Sequence, residues 1–221
     1  MVCSFPIVCM HIHIPDGVLP IWLWVLGYAL AALFLLFAVI KVGKDTRKAV
    51  WTAAVAAMML VAMSIPLGVP YHINLTALAG IILGPWWSLI ACFVVNGILA
   101  SFGHGGVTIV GLNTLVTWFE ALAGFYLYRV FKKVVIKDKE KTPVAAGVST
   151  WIALTLSAFL VIGLVAASGI ESIRFHGGKN INLNTFTILT LTFALPGAVV
   201  EAVITAFILA YIRKVRPELF G

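Results

Sequence analysis

The chain has 221 residues, of which 62% are apolar and only 10% charged, and its formal net charge is +7. Soluble domains are about half apolar and a quarter charged, so a water-soluble core, a disordered chain, a coiled coil and a disulfide-stapled secreted scaffold are all excluded. A mean hydropathy of +1.09 leaves the bilayer as the solvent and a polytopic membrane domain as the class.

Residues 1–18 stand apart from the first apolar run, and with no basic start and no long apolar stretch they are not expected to act as a secretory signal. Within them, Met10-His11-Ile12-His13-Ile14-Pro15-Asp16-Gly17 places two alternating histidines ahead of a Pro-Asp-Gly turn. Imidazole suits Ni(II), Co(II), Cu(II) and Zn(II). A free terminal amine beside a histidine adds a planar chelate. The amine, a deprotonated backbone nitrogen and the imidazole hold one ion and leave a fourth position for another nitrogen, a geometry that Ni(II) and Cu(II) favour. Cys3, Cys9 and Cys92 lack metal-type spacing, and Cys92 reads as packing.

Apolar runs follow at 19–40, 49–65, 107–128, 144–167 and 184–212, each near or above the ~20 residues that cross a bilayer. The stretch 74–101 would be about 42 Å long as one helix, but Gly84-Pro85 interrupts it. The basic residues decide how it is counted. Nearly all of the 15 Lys and Arg fall at 41–48, 129–141 and 213–216, each directly after an apolar run, which marks cytoplasmic loops rather than a nucleic-acid surface. A single crossing over 74–101 would send one basic loop to the wrong face. Two short spans, 75–83 and 87–101, keep all three clusters on one side. The sequence therefore predicts seven spans, with the N-terminus outside and the C-terminus in the cytoplasm of a cell-membrane protein.

This topology sends every histidine to or near the outer face: His11 and His13 before the first span, His72 after the second, His104 after the fourth and His176 before the last. His72 lies in Pro70-Tyr71-His72-Ile73-Asn74-Leu75-Thr76, polar for a membrane protein and at a helix start. His104-Gly105-Gly106 makes a second outer turn, with Asn113 just inside the next span. His176, between Arg174 and Lys179, reads as a solvated loop residue. Ala49, Ala53 and Ala57 recur every four residues and share one face of the second span, suited to packing within the chain or to docking a partner.

Glu120 and Glu201 are the only acids within spans. Both read as structural: Glu120 lies within reach of the basic cluster that follows it. Glu201 follows Pro196-Gly197, where it can support a break or meet a partner. No nucleophile elbow, phosphate loop or zincin helix argues for catalysis, and nothing in the chain supplies an ATPase. The chain reads as a non-enzyme.

At these residues the chain resembles the CbiM/NikM family, the substrate-capturing membrane components of energy-coupling factor transporters for cobalt and nickel. The likeness is densest in His13-Ile-Pro-Asp-Gly-Val-Leu-Pro20 and in the blocks from His72 through Leu83-Gly84-Pro85 and His104-Gly-Gly-Val-Thr108 to Gly111-Leu-Asn-Thr114. The resemblance implies an all-α fold, a six-helix substrate-binding module with an extra N-terminal helix, agreeing with the count from charge. It implies a metal-binding segment at 1–18 and a transmembrane domain at 19–221. In the family an N-terminal Met-His segment tucks into the outer cavity and a later histidine completes a square plane. Carried over, the later ligand is His72, and the N-terminal donors are Met10 with His11 or His13. With Met10 as the functional start, His11 is the second residue and the amine chelate is restored; alignment on Ile-Pro-Asp-Gly instead selects His13. Asp16, His104 and Asn113 are expected behind these ligands.

The resemblance also implies partners: a transmembrane coupling protein, two cytoplasmic ATPase subunits and a small accessory membrane protein, with Ala49, Ala53 and Ala57 as a docking face. The chain would hold no cofactor of its own and carry Co(II) or Ni(II) as cargo. The absence of a fused accessory segment leans toward the cobalt-type arrangement. Two rival functions stay open: capture of an organic vitamin by the same architecture, which would need an aromatic pocket and no N-terminal histidines, and haem binding, which would need histidines facing each other inside the bundle.

Overall fold

The computed structural model describes residues 19–65, 72–103, 105–134, 142–169, 173–174 and 180–215. Seven helices occupy them: α1 (Ile21–Val42), α2 (Thr46–Ser64), α3 (Thr76–Leu83), α4 (Pro85–Ser101), α5 (Val110–Val134), α6 (Thr142–Ala167) and α7 (Leu183–Val215). The seven-helix, all-α membrane fold expected from charge placement is thus the one observed, including the division at Gly84-Pro85. By length and composition α1, α2, α6 and α7 suffice to cross a membrane. One addition lies between α6 and α7, where β1 (Ile173–Arg174) and β2 (Asn180–Ile181) form a two-residue antiparallel pair.

The bundle is apolar on the outside. On α1 only Leu23, Gly27, Ala31 and Ala38 are buried, one stripe along the helix. Val25, Leu26, Leu33, Leu36 and Phe37 are exposed and face what is lipid in a bilayer. Between helices in lipid there is little hydrophobic drive, so association rests on close approach of backbones at small residues. A Cβ at Gly27 would meet Leu112 Cβ at 2.9 Å, and one at Gly111 would meet Tyr28 Cα at 2.7 Å. The Tyr28 hydroxyl also donates to the Val107 carbonyl, tying α1 to the turn before α5. At the α6–α7 crossing, a Cβ on Gly147 would lie 3.0 Å from the Ala202 carbonyl oxygen.

Helix α5 is the hub, packed against α1, α3, α4 and α6. The packing clusters show the direction of each helix. Leu19 and Leu23 at the start of α1 meet Ile109 and Leu112 at the start of α5, together with Val161 and Val165 at the end of α6 and Leu183 and Phe186 at the start of α7. At the other end, Tyr128 of α5 joins Ala145 and Ala146 of α6 and Leu209 of α7. Hence α1, α5 and α7 run in one direction and α6 in the other. Lys41, Lys132, Lys133, Arg213 and Lys214, all in last helical turns, therefore lie at the same end of the bundle, as the charge argument requires.

α7 runs unbroken through Pro196 for 33 residues. A break at Pro196-Gly197, one of the two roles considered for Glu201, is therefore absent. Transmembrane helices tolerate proline because neighbouring groups satisfy the freed carbonyl. At ~1.5 Å per residue α7 is about 50 Å long, well beyond a ~30 Å hydrocarbon core.

Candidate functional site

The site grows from the short helix α3. With eight residues it is about 12 Å long and cannot cross a bilayer. It is instead enclosed, with Thr76 through Ile81 buried and α2, α4, α5 and α6 around it. Two glycines let it lie directly on α5. A Cβ at Gly80 would fall 1.9 Å from the Ala121 carbonyl oxygen, and one at Gly124 would fall 2.9 Å from Ala77 Cβ. The joint to α4 is local chemistry: Gly84 takes a positive φ of 81°, and Pro85 starts α4, where its missing N–H is one of the helix's unpaired donors anyway. Trp118 Nε1 on α5 donates to the Pro85 carbonyl at 2.7 Å and holds the joint in place.

The other end of α3 carries the polar chemistry. A helix N-terminus leaves backbone N–H groups without partners inside the helix. Here Leu75 precedes the helix in the left-handed region at φ 58°, with no capping side chain of its own. The acceptors come from two distant helices. Glu201 Oε2 on α7 accepts from the Asn74 amide at 3.0 Å, and Glu201 Oε1 accepts from the Leu75 amide at 2.7 Å. Glu120 Oε2 on α5 accepts from the Thr76 hydroxyl. Both carboxyl groups thus sit at the positive end of the α3 dipole, where negative charge is favoured. Each glutamate is wholly buried. Glu120 therefore faces the interior of the bundle and the start of α3, rather than the basic cluster at the end of α5, because α3 and not solvent covers that face of α5.

His72 lies four residues before α3 and is 3% exposed. The segment that follows it meets α5 at Glu120, ten residues and about 15 Å along from the start of that helix at Val110. The backbone at Asn74 and Leu75 is therefore drawn into the bundle, two residues after the buried His72. The reason is the brevity of α3: its start has to lie where α5 and α7 offer acceptors. Asn113 is buried on α5, and its carbonyl accepts from the Thr117 hydroxyl at 2.9 Å. Asn96 of α4 donates to that same hydroxyl at 3.0 Å, a polar contact between α4 and α5 one turn after Asn113.

Ala49, Ala53 and Ala57 are exposed, while Thr52, Val55, Ala56, Met59 and Met63 form the buried face of α2. Among the described residues, none packs over the alanine stripe. Cys92 is a free, buried cysteine in the core, as read. Met10, His11, His13, Asp16 and His104 lie outside the described residues. Among the described residues no three His, Cys, Asp or Glu side chains come together as metal donors; of the ligands expected from the sequence, His72 is the one that lies within them. Glu201, Asn74 and Leu75 were not read from the sequence as site residues. An intramembrane acid together with a polar Asn-Leu-Thr run at the start of a half-length helix is the signal that joins them.

The fold and its interior define a polytopic α-helical membrane protein whose polar side chains gather around a buried bend, where intramembrane polar groups mark substrate paths. The CbiM family, described as the cobalt uptake substrate-specific transmembrane region, matches residues 13–219, and the chain belongs to that family. A protein of Archaeoglobus fulgidus provisionally named a fused nickel transport protein NikMN is 31% identical over 93% of this chain and 67% of its own length. The cobalt transport protein CbiM of Sorangium cellulosum is 26% identical over 94% of this chain and 93% of its own. A solved structure described as a transition metal transporter matches with a TM-score of 0.79 at 21% identity, covering 92% of this chain and 93% of that one. At that identity the likeness is one of fold. The chain is a membrane protein of a cobalt and nickel transport family.

Proposed function

We propose that this chain captures Co(II) or Ni(II) at the outer face of the cell membrane and delivers it to the cytoplasm as the substrate-binding subunit of an energy-coupling factor importer. The observation that carries the reading is His72: an imidazole buried inside the bundle of a CbiM-family chain, at the start of a backbone bend held by the intramembrane carboxylate of Glu201. One imidazole binds a borderline metal weakly. The remaining donors come from the segment 1–18: the Met10 amine, the backbone nitrogen and imidazole of His11, with His13 as an added donor or in place of His11. Such a nitrogen-only set selects Ni(II) or Co(II) over Mg2+ and Ca2+, which prefer oxygen ligands. Asp16, His104 and Asn113 orient these donors, as the outer partners of metal-binding histidines generally do.

ATP hydrolysis in two cytoplasmic subunits would be passed on through a transmembrane coupling protein, with a small accessory membrane protein in the assembly. The exposed Ala49-Ala53-Ala57 stripe supports docking there, since small residues on a lipid-facing side let a partner helix approach closely. The clustering of basic helix ends at one end of the bundle supports a cytoplasmic C-terminus and an outer N-terminus.

The test expresses the full chain from Met1 and from Met10, confirms each N-terminus by mass spectrometry, and titrates both with Ni(II) and Co(II). Tight binding is expected of the Met10 form, weakened by His72→Ala. If neither form binds, or if His72→Ala leaves affinity unchanged, the reading is overturned.

A further inference from the structure

We infer that Glu201 is a positioning residue for metal capture, setting the placement of the His72 imidazole from helix α7; the inference rests on the proposed role of His72. The carboxylate commits both oxygens to the backbone two and three residues after that histidine, accepting from the amides of Asn74 at 3.0 Å and Leu75 at 2.7 Å. These bonds bridge 127 and 126 residues of chain, so they hold the bend against α7 rather than complete a local turn. The bend needs such a hold. Leu75 sits at φ 58°, a left-handed conformation that a leucine adopts only when its surroundings impose it. Asn74 and Leu75 are 1% and 5% exposed, so water cannot replace the carboxylate as acceptor.

A carboxylate suits the task because it is the one side chain that offers two acceptor oxygens and no donor. A glutamine would present an amide N–H to one of the two backbone donors and release one end of the bend. Glu120 plays a different part. It accepts from the Thr76 hydroxyl, inside the helix and beyond the bend, and so fixes α3 without touching the amides of Asn74 and Leu75.

The experiment uses the chain begun at Met10 in detergent or nanodiscs, with Ni(II) alone as probe, and reads affinity, the ligand-field absorption of the bound ion and thermal stability. Glu201→Gln is expected to bind Ni(II) about 10- to 100-fold more weakly and to shift the absorption band, in the range seen when a group orienting a metal ligand is removed. Glu201→Asp, which keeps both acceptors on a shorter arm, recovers part of the loss, and Glu120→Gln shifts affinity less than either. A purely structural Glu201 would lower thermal stability and leave the affinity and spectrum of the folded fraction as in the wild type, which would overturn the inference. His72→Ala separates the two levels: if it leaves binding unchanged, the role of His72 itself falls. If it weakens binding while both Glu201 variants match the wild type, only the positioning role falls. Where neither Glu201 variant folds, wild-type amide exchange at Asn74 and Leu75 decides. Slower exchange with Ni(II) supports the coupling, and unchanged exchange overturns it.

Discussion

Helices α1 and α3 belong to one bundle and are both apolar, yet different physics holds each of them. α1 has 22 residues, long enough to cross the bilayer, and needs only a narrow stripe of Leu23, Gly27, Ala31 and Ala38 to find its neighbours. The rest of its surface faces lipid, which is as apolar as the protein interior. α3 has eight residues, cannot reach either interface unaided, and is buried over most of its length. The backbone amides leading into it would face hydrocarbon, so Glu201 of α7 accepts from them while Glu120 of α5 accepts from the Thr76 hydroxyl. In lipid, a full-length helix is held by its length, whereas a half-length helix is held by polar partners inside the protein. That difference explains why the only acids inside the helical spans converge at one place.

Breaking the α3 packing should have the largest effect. Gly80→Leu places a side chain where even a Cβ would lie 1.9 Å from the Ala121 carbonyl oxygen. Loss of a monodisperse folded species on size-exclusion chromatography is expected, since overpacking against backbone cannot be relieved by a rotamer change. Gly97→Ala on α4 meets nothing within 4 Å and should leave the profile unchanged.

Glu201→Leu comes next. It strands two buried amides, each worth about 1–3 kcal/mol when left unsatisfied, so a loss of roughly 2–6 kcal/mol is expected in denaturant unfolding in mixed micelles. Glu120→Leu strands the single Thr76 hydroxyl and should cost about 1–3 kcal/mol by the same reasoning. Equal losses from the two variants would undo the distinction between Glu201, which holds the bend, and Glu120, which fixes α3. On α1, Leu36→Ala and Phe37→Ala face lipid and should fall within about 0.5 kcal/mol of wild type. A loss of several kcal/mol there would show that α1 is held by more than its stripe.

Ala53→Trp acts on a different property. It lies on the exposed side of α2 and should leave unfolding and Ni(II) affinity unchanged while reducing co-purification with the coupling protein. Unchanged co-purification would remove the alanine stripe from the docking face.

The helices were legible in the sequence because their signals are local or additive. Apolar runs mark the long spans, Gly84-Pro85 marks the joint, and the parity of basic loops counts the crossings. The bend at Asn74 and Leu75 and the task of Glu201 were not legible. Glu201 and Leu75 are 126 residues apart, and nothing near either one reports the other. Leu75 in a left-handed conformation also runs against its own preference, so local propensity points away from the turn that forms. Glu120 misled for a related reason. Distance along its own helix favours the basic cluster, while the partner comes from a different helix that covers it. Pro196 pointed to a break because proline removes a helix donor, a loss that neighbouring segments offset in a packed membrane bundle.

The central claim is that His72 joins nitrogen donors from the N-terminal segment around one transported ion. X-ray absorption at the nickel edge of the Ni(II)-loaded chain begun at Met10 tests it most directly. The expected spectrum shows a planar, nitrogen-only coordination sphere with imidazole scattering that diminishes in His72→Ala. An oxygen-rich octahedral sphere, or imidazole scattering unchanged by His72→Ala, would contradict it.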